Sequence, residues 1–243
     1  MKSKRFLFLI GLVLMMCSVS SAAALCPDGA SYATYVTLNA VGGCFIDGLL
    51  FNNFTYTPTS VNVPSVPATG VTVSTIGPAG SGATIISHDP GFLFNPNLSV
   101  GPGQSQDTLI GYTVQTRSGE AFINDNDLLM VGAHTGTGIA SIVETKCFGA
   151  SLAPCPGGAL QINVHSGPDG TMDVLTAHAN FANQSLIGIF KDISVKGGDS
   201  GTAFISGAQN TYSVPEPAPF LLIGSGLLGL SVVRRKMKGI SLK

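Results

Sequence analysis

Tryptophan is absent from this 243-residue chain, and charge is scarce: 12 Lys and Arg with 13 Asp and Glu make up 10% of it, against about 25% in an ordinary soluble domain. Between Leu25 and Ser213 only Arg117, Lys146, Lys191 and Lys196 are basic, facing twelve acids. A phosphate-binding surface needs clustered Lys and Arg, so nucleic acid is excluded as a partner. The chain has no Cys-x-x-Cys pair, and His88, His134, His165 and His178 stand apart without His-x-His spacing. Zinc sites need such grouping. No glycine-rich loop leads into a helix, so a nucleotide cradle is missing. No cofactor is expected. A helical protein is excluded as well, because 31 glycines and 14 prolines disfavour helix interiors.

What is present is 44% hydrophobic residues in period-2 alternation, which argues against disorder and for strands. Ile110, Tyr112 and Val114 alternate with polar or small neighbours, as do Leu160, Ile162 and Val164. Residues 31–39, 49–56, 83–87, 139–146, 186–195 and 202–206 read as further strands. Turn chemistry separates them at Gly101-Pro102-Gly103, Pro168-Asp169-Gly170 and Lys196-Gly197-Gly198. Many short strands with frequent turns imply antiparallel sheets packed face to face. The expected fold is all-β, a single jelly-roll-like β-sandwich over residues 25–213. The proline-rich stretch 57–82 reads as edge strands, loops or a linker, since proline breaks ladder hydrogen bonds.

Both ends read as addresses. Lys2, Lys4 and Arg5 precede an apolar run over residues 6–16, and small residues end at Ala22-Ala23-Ala24. That is the pattern of a secretory signal peptide, here residues 1–24, with signal peptidase as the partner that removes it. At the other end Val214-Pro215-Glu216-Pro217 precedes sixteen small or apolar residues, 218–233, and then Arg234-Arg235-Lys236. Sixteen helical residues span about 24 Å, short of a roughly 30 Å hydrocarbon core, and the basic cluster belongs on the cytoplasmic side. The order of these three features resembles the PEP-CTERM sorting signal, here residues 214–243. The resemblance implies an exported protein that a membrane exosortase recognises and cuts near residues 215–217. It further implies a short transmembrane helix held transiently in the inner membrane, and delivery to the cell surface or the exopolysaccharide matrix of a biofilm. Gly43-Cys44-Phe45-Ile46, Glu144-Thr145-Lys146-Cys147 and Phe190-Lys191-Asp192-Ile193 are similar to segments of uncharacterised exported proteins with the same tail, a group that brings no activity.

Cys17 would leave with the signal peptide, and the remaining four cysteines allow three pairings. Export favours disulfides. Nearest-neighbour pairing gives Cys26–Cys44, tying down the mature N-terminus, and Cys147–Cys155, clipping a short loop.

Two motifs suggest chemistry. Gly198-Asp199-Ser200-Gly201-Thr202 resembles the nucleophile turn of chymotrypsin-like serine proteases, with residues around His178 echoing their histidine motif. Only 21 residues separate His178 from Ser200, too few for a fold whose histidine lies far upstream on another barrel. No catalysis is expected. Asn124-Asp125-Asn126-Asp127 offers the oxygen ligands calcium prefers, with Asp125 and Asp127 as candidates, yet lacks the glycine and distal glutamate of an EF-hand loop. It reads equally as a turn between strands. The functional expectation is a non-catalytic exported surface or matrix protein. The alternative is a carbohydrate- or calcium-binding adhesion module, with extracellular polysaccharide as partner.

Overall fold

The computed structural model describes residues 23–77, 89–116, 122–149, 152, 155, 159–168 and 172–213. In chain order the strands are β1 Ala24–Leu25, β2 Ala30–Ser31, β3 Cys44–Ile46, β4 Leu49–Val61, β5 Thr72–Ile76, β6 Gly91–Asn95, β7 Leu98–Val100, β8 Ser105–Thr116, β9 Ile123–Thr135, β10 Ile139–Phe148, β11 Ala159–Ser166, β12 Thr176–Gln184, β13 Leu186–Lys196 and β14 Thr202–Ser213, with a helix α1 at Tyr32–Leu38. One seven-stranded sheet runs β1-β3-β4-β8-β13-β10-β11. The other runs β12-β9-β14-β6-β5-β2, with β7 also on β14. All pairs are antiparallel except β1 with β3. Inner faces of both sheets supply one hydrophobic cluster, so the expected β-sandwich is the fold found.

Alternation decides what enters that cluster. In β13, Ile187, Ile189, Lys191, Ile193 and Val195 are buried; in β8, Ile110, Tyr112 and Val114 stand opposite three of them or their neighbours in the ladder. Aromatic rings fill the other end. Phe92 lies 4.6 Å from Phe51, 5.3 Å from Tyr35, 5.6 Å from Phe94 and 5.8 Å from Tyr112, ring centre to ring centre. Such pairs add about 0.5–1.5 kcal/mol beyond their area.

Of residues 31–39, expected as a strand, Tyr32–Leu38 form a helix. Their Thr, Val and Tyr content favours strands locally, but other cues prevail. Ser31 caps the helix, its side chain accepting from Thr34 N. Tyr32 and Tyr35, one turn apart, both bury completely, and after a 3-10 turn at Asn39–Val41 Gly42 ends the helical run with a left-handed φ of 85°. Tyr32 donates to Gly111 O at 2.9 Å and Tyr35 to Pro27 O at 2.6 Å. The helix thereby plugs the aromatic end.

β4 contains the one place where its ladder with β8 slips, between Asn52 and Thr55. Asn53 takes a positive φ of 55°, and the slip turns Phe54 inward. The freed Phe54 backbone is satisfied by one side chain just past α1: Asn39 donates to Phe54 O at 2.9 Å and accepts from Phe54 N at 2.8 Å. Stretch 57–82 is no linker throughout. β4 continues through Pro58 to Val61, and β5 joins the second sheet. Pro58 is tolerated because β3 pairs only with residues 49–51, so its missing N–H faces no partner. The expected strand 83–87 lies outside the described residues, as do positions 169 and 170 of one expected turn.

Both expected disulfides form. Cys26–Cys44 joins the β1 end to β3 with Cα atoms 4.8 Å apart, and Cys147–Cys155 closes the loop after β10 with Cα atoms 4.7 Å apart. Replacing Cys26 and Cys44 by serine should cost about 3 kcal/mol, the chain-entropy value for a loop near fifteen residues. Urea unfolding without reductant measures it, and an unchanged midpoint would refute it.

Candidate functional site

The serine-protease resemblance dissolves in the fold. Ser200 lies in the β13–β14 turn, its N–H donating to Thr137 Oγ1 at 2.9 Å. His178 sits opposite Asp127 on β9, eight residues from Thr135, the partner of Thr202. At 3.3 Å per strand residue they are about 26 Å apart. The glycines of that turn are structural: Gly198 has a φ of 61°, and a Cβ on Gly201 would collide with the backbone of Thr135 and Thr137.

Residues 124–127 are the interior of β9 and not a turn. Alternation sends Asn126 into the core and leaves Asp125 and Asp127 on the outer face. Both are engaged: Asp125 Oδ1 accepts from Ser213 N at 3.2 Å, and Asp127 Oδ1 lies 2.8 Å from His178 Nδ1. That hydrogen bond raises the His178 pKa. Among the described residues no three His, Cys, Asp or Glu side chains are grouped to hold a metal ion.

The inner face holds a charged cluster that the sequence reading left unassigned. Glu144 and Lys146 on β10 and Lys191 on β13 are all fully buried. Glu144 is directly opposite Lys191, whose Nζ donates to Glu144 Oε2. Lys146 Nζ lies 3.0 Å from Glu144 Oε1 as a second ion pair. Burial pushes the Glu144 carboxyl up, yet the two lysines outweigh it and hold the pKa below the usual carboxylate range. Burial pushes Lys191 down, and Glu144 only partly opposes it. Tyr112, Tyr212 and Asn210 form an adjoining network: Asn210 Oδ1 accepts from Tyr112 at 2.5 Å and Tyr212 at 2.7 Å, and the two hydroxyls are 2.8 Å apart. Burial, then the charge of Glu144 on Tyr112 and of Tyr112 on Tyr212, raises both phenols well above their ordinary value. A cue existed: in Ile142-x-Glu144-x-Lys146 and Ile189-x-Lys191-x-Ile193 the charges occupy the apolar phase of the alternation.

The outer face of the same sheet is polar. Thr55, Thr57 and Thr59 of β4 are exposed beside Asp107 of β8 and Asp192 of β13. Burial raises the Asp107 pKa to about 6, the charge and hydrogen bond of Asp192 add to the rise, and Lys196 opposes it. A carboxyl raised on folding adds stability below its unfolded value near 3.9 and loses it as pH climbs through the folded value. Stability should therefore fall between about pH 4 and pH 6 at this site, and Asp192→Asn should flatten the fall. Urea midpoints against pH decide it; an unchanged slope in the variant would refute the pairing.

No described helix is long and apolar enough to cross a membrane; of the expected signal peptide only residues 23 and 24 are described, Ala24 within β1, and segment 218–233 lies outside the described residues. No curated protein matches the sequence. Similar solved structures include TmCBM61 in complex with β-1,4-galactotriose (12% identity, 65% of this chain, 88% of that chain, TM-score 0.32). Others are the xylan-binding module CBM15 (15%, 68% and 100%, TM-score 0.23) and the Trichoderma harzianum endoglucanase 3 from family GH12 (11%, 67% and 98%, TM-score 0.21). Their ligands and activities are their own. Residues 213–236 match the PEP-CTERM protein-sorting motif, and β14, the last described strand, ends at Ser213, so the chain carries that sorting motif from the end of β14 onward.

Proposed function

We propose that this is an exported, non-catalytic β-sandwich protein of the cell surface or extracellular matrix, delivered through exosortase cleavage of its C-terminal signal. The match over residues 213–236 carries the reading. Val214-Pro215-Glu216-Pro217 is the recognition segment, the apolar stretch 218–233 holds the chain transiently in the inner membrane, and Arg234 and Arg235 keep the tail cytoplasmic. Signal peptidase removes residues 1–24. A cut near residues 215–217 would release residues 25–213 with β14 complete, because that strand ends at Ser213. Intact mass of the protein from an exosortase-bearing host is the test. Loss of the first 24 residues and of everything beyond about Pro217 is expected, whereas Glu216→Ala with Pro217→Ala should keep the tail in the membrane fraction. A wild-type protein retaining Arg234 and Arg235 would overturn the reading.

A second reading, a carbohydrate- or calcium-binding adhesion module, is favoured by the outer face around Asp107 and Asp192, where carboxyls and threonines line an exposed sheet. Glycan-array binding lost in Asp107→Asn would support a sugar site. For calcium, melting with and without the ion decides, a ligand at 100 times its Kd adding about 2.7 kcal/mol.

A further inference from the structure

Two lysines and one glutamate are fully buried together, and that stoichiometry has a chemical consequence. A buried charge persists only when paired, and one carboxylate pairs one ammonium. The uncharged arrangement is a Glu144 carboxylate, one lysine as ammonium and the other as free amine. The state that matters is the one in which Lys191, whose Nζ touches the carboxyl, is the amine; burial favours its loss of a proton. A free amine is a nucleophile, and this one touches a carboxyl group directly opposite on the neighbouring strand.

We propose that Lys191 and Glu144 condense into an intramolecular amide that ties β10 to β13. Lys146, 3.0 Å from Oε1, delivers a proton to that oxygen as the C–O bond breaks and becomes an amine. The Lys191 Nζ lone pair adds to Cδ, forming the N–C bond. The protonated Oε1 leaves as water, taking one of the two Nζ hydrogens. Carboxylate, ammonium and amine thus become amide, amine and water, with no oxidant or other reactant. Two features favour it. Held in contact, such groups react as though at about 10⁵–10⁸ M, and the product carries no charge in the core, which removes the desolvation cost of the ion pair. The bond spans 47 residues and, unlike the two disulfides, withstands reductant.

The test is the mass of the purified full chain after unfolding and reduction, followed by proteolysis and fragment sequencing. Expected is a mass short by one water, a fragment joining the segments around Glu144 and Lys191, and no tryptic cut after Lys191. In Lys191→Met the deficit should vanish. In Lys146→Met, which removes the proton donor, condensation should slow by roughly 10²–10⁴-fold, read as the linked fraction over time. A wild-type mass equal to the sequence overturns the proposal, even if neither variant folds. A water lost as an imide at Asp28-Gly29, Asp47-Gly48 or Asp169-Gly170 also overturns it, since the linked fragment is then missing. Loss of ammonia instead would place the bond on Asn126 or Asn210 and refute the Glu144 assignment. The linked fragment is independent of C-terminal sorting, because it is read on segments outside residues 213–236.

Discussion

Glu144→Ala is expected to lower stability by about 3–5 kcal/mol, the cost of leaving buried charge without its partner. Lys146 and Lys191 have no exposure, and Glu144 is the acid both approach. Its loss forces the remaining ammonium to shed its proton or stay unpaired in the core, and it leaves a cavity at the inner face of β10. Denaturant unfolding with disulfides intact measures the effect. Adding Lys146→Met and Lys191→Met should restore much of the loss, since apolar side chains of similar length leave no charge unpaired. If Glu144→Ala unfolded at the wild-type midpoint, the buried cluster would be refuted.

Phe92→Ala should cost as much by a different route, about 3–5 kcal/mol. Phe92 is fully buried, and its ring meets Tyr35 of α1, Phe51 and Phe54 of β4, Phe94 of β6 and Tyr112 of β8. It therefore joins the helix and both sheets, and no single neighbour can move to fill the void. Phe204→Ala is the control, being 45% exposed on the outer face, and should change stability by less than about 0.5 kcal/mol. Equal losses in the two variants would refute the claim that Phe92 is a core anchor between the helix and both sheets.

Much of the fold was readable because a strand buried on one face writes its alternation into the sequence. β8, β10 and β13 have that pattern, and the cysteines paired with their nearest neighbours. β14 was read only to residue 206 because a register shift lies between Ile205 and Gly207. One extra residue reverses which side chains face inward. Ala203 and Ile205 face the core before it, and Ala208, Asn210 and Tyr212 after it. The tyrosine–asparagine network exists because of that shift. Helix α1 is hidden from a local reading because its aromatic and β-branched residues favour strand, while the cavity that receives Tyr32 and Tyr35 is built by β4, β6 and β8.

The candidate sites divide the same way. The sorting motif is linear, recognised in the order of residues 213–236, so no folding is needed to read it. The protease resemblance, equally linear, failed because catalysis needs side chains to converge, and here the sheet holds Ser200 and His178 at opposite ends of β9. Asp107 with Asp192, and Glu144 with Lys191, are 85 and 47 residues apart in the chain. By itself the sequence determined the all-β class, the strands with clean alternation and the sorting motif, because periodicity and segment order are local properties. Only the tertiary structure decided which charges are buried together, because register and bulges choose the face each side chain occupies.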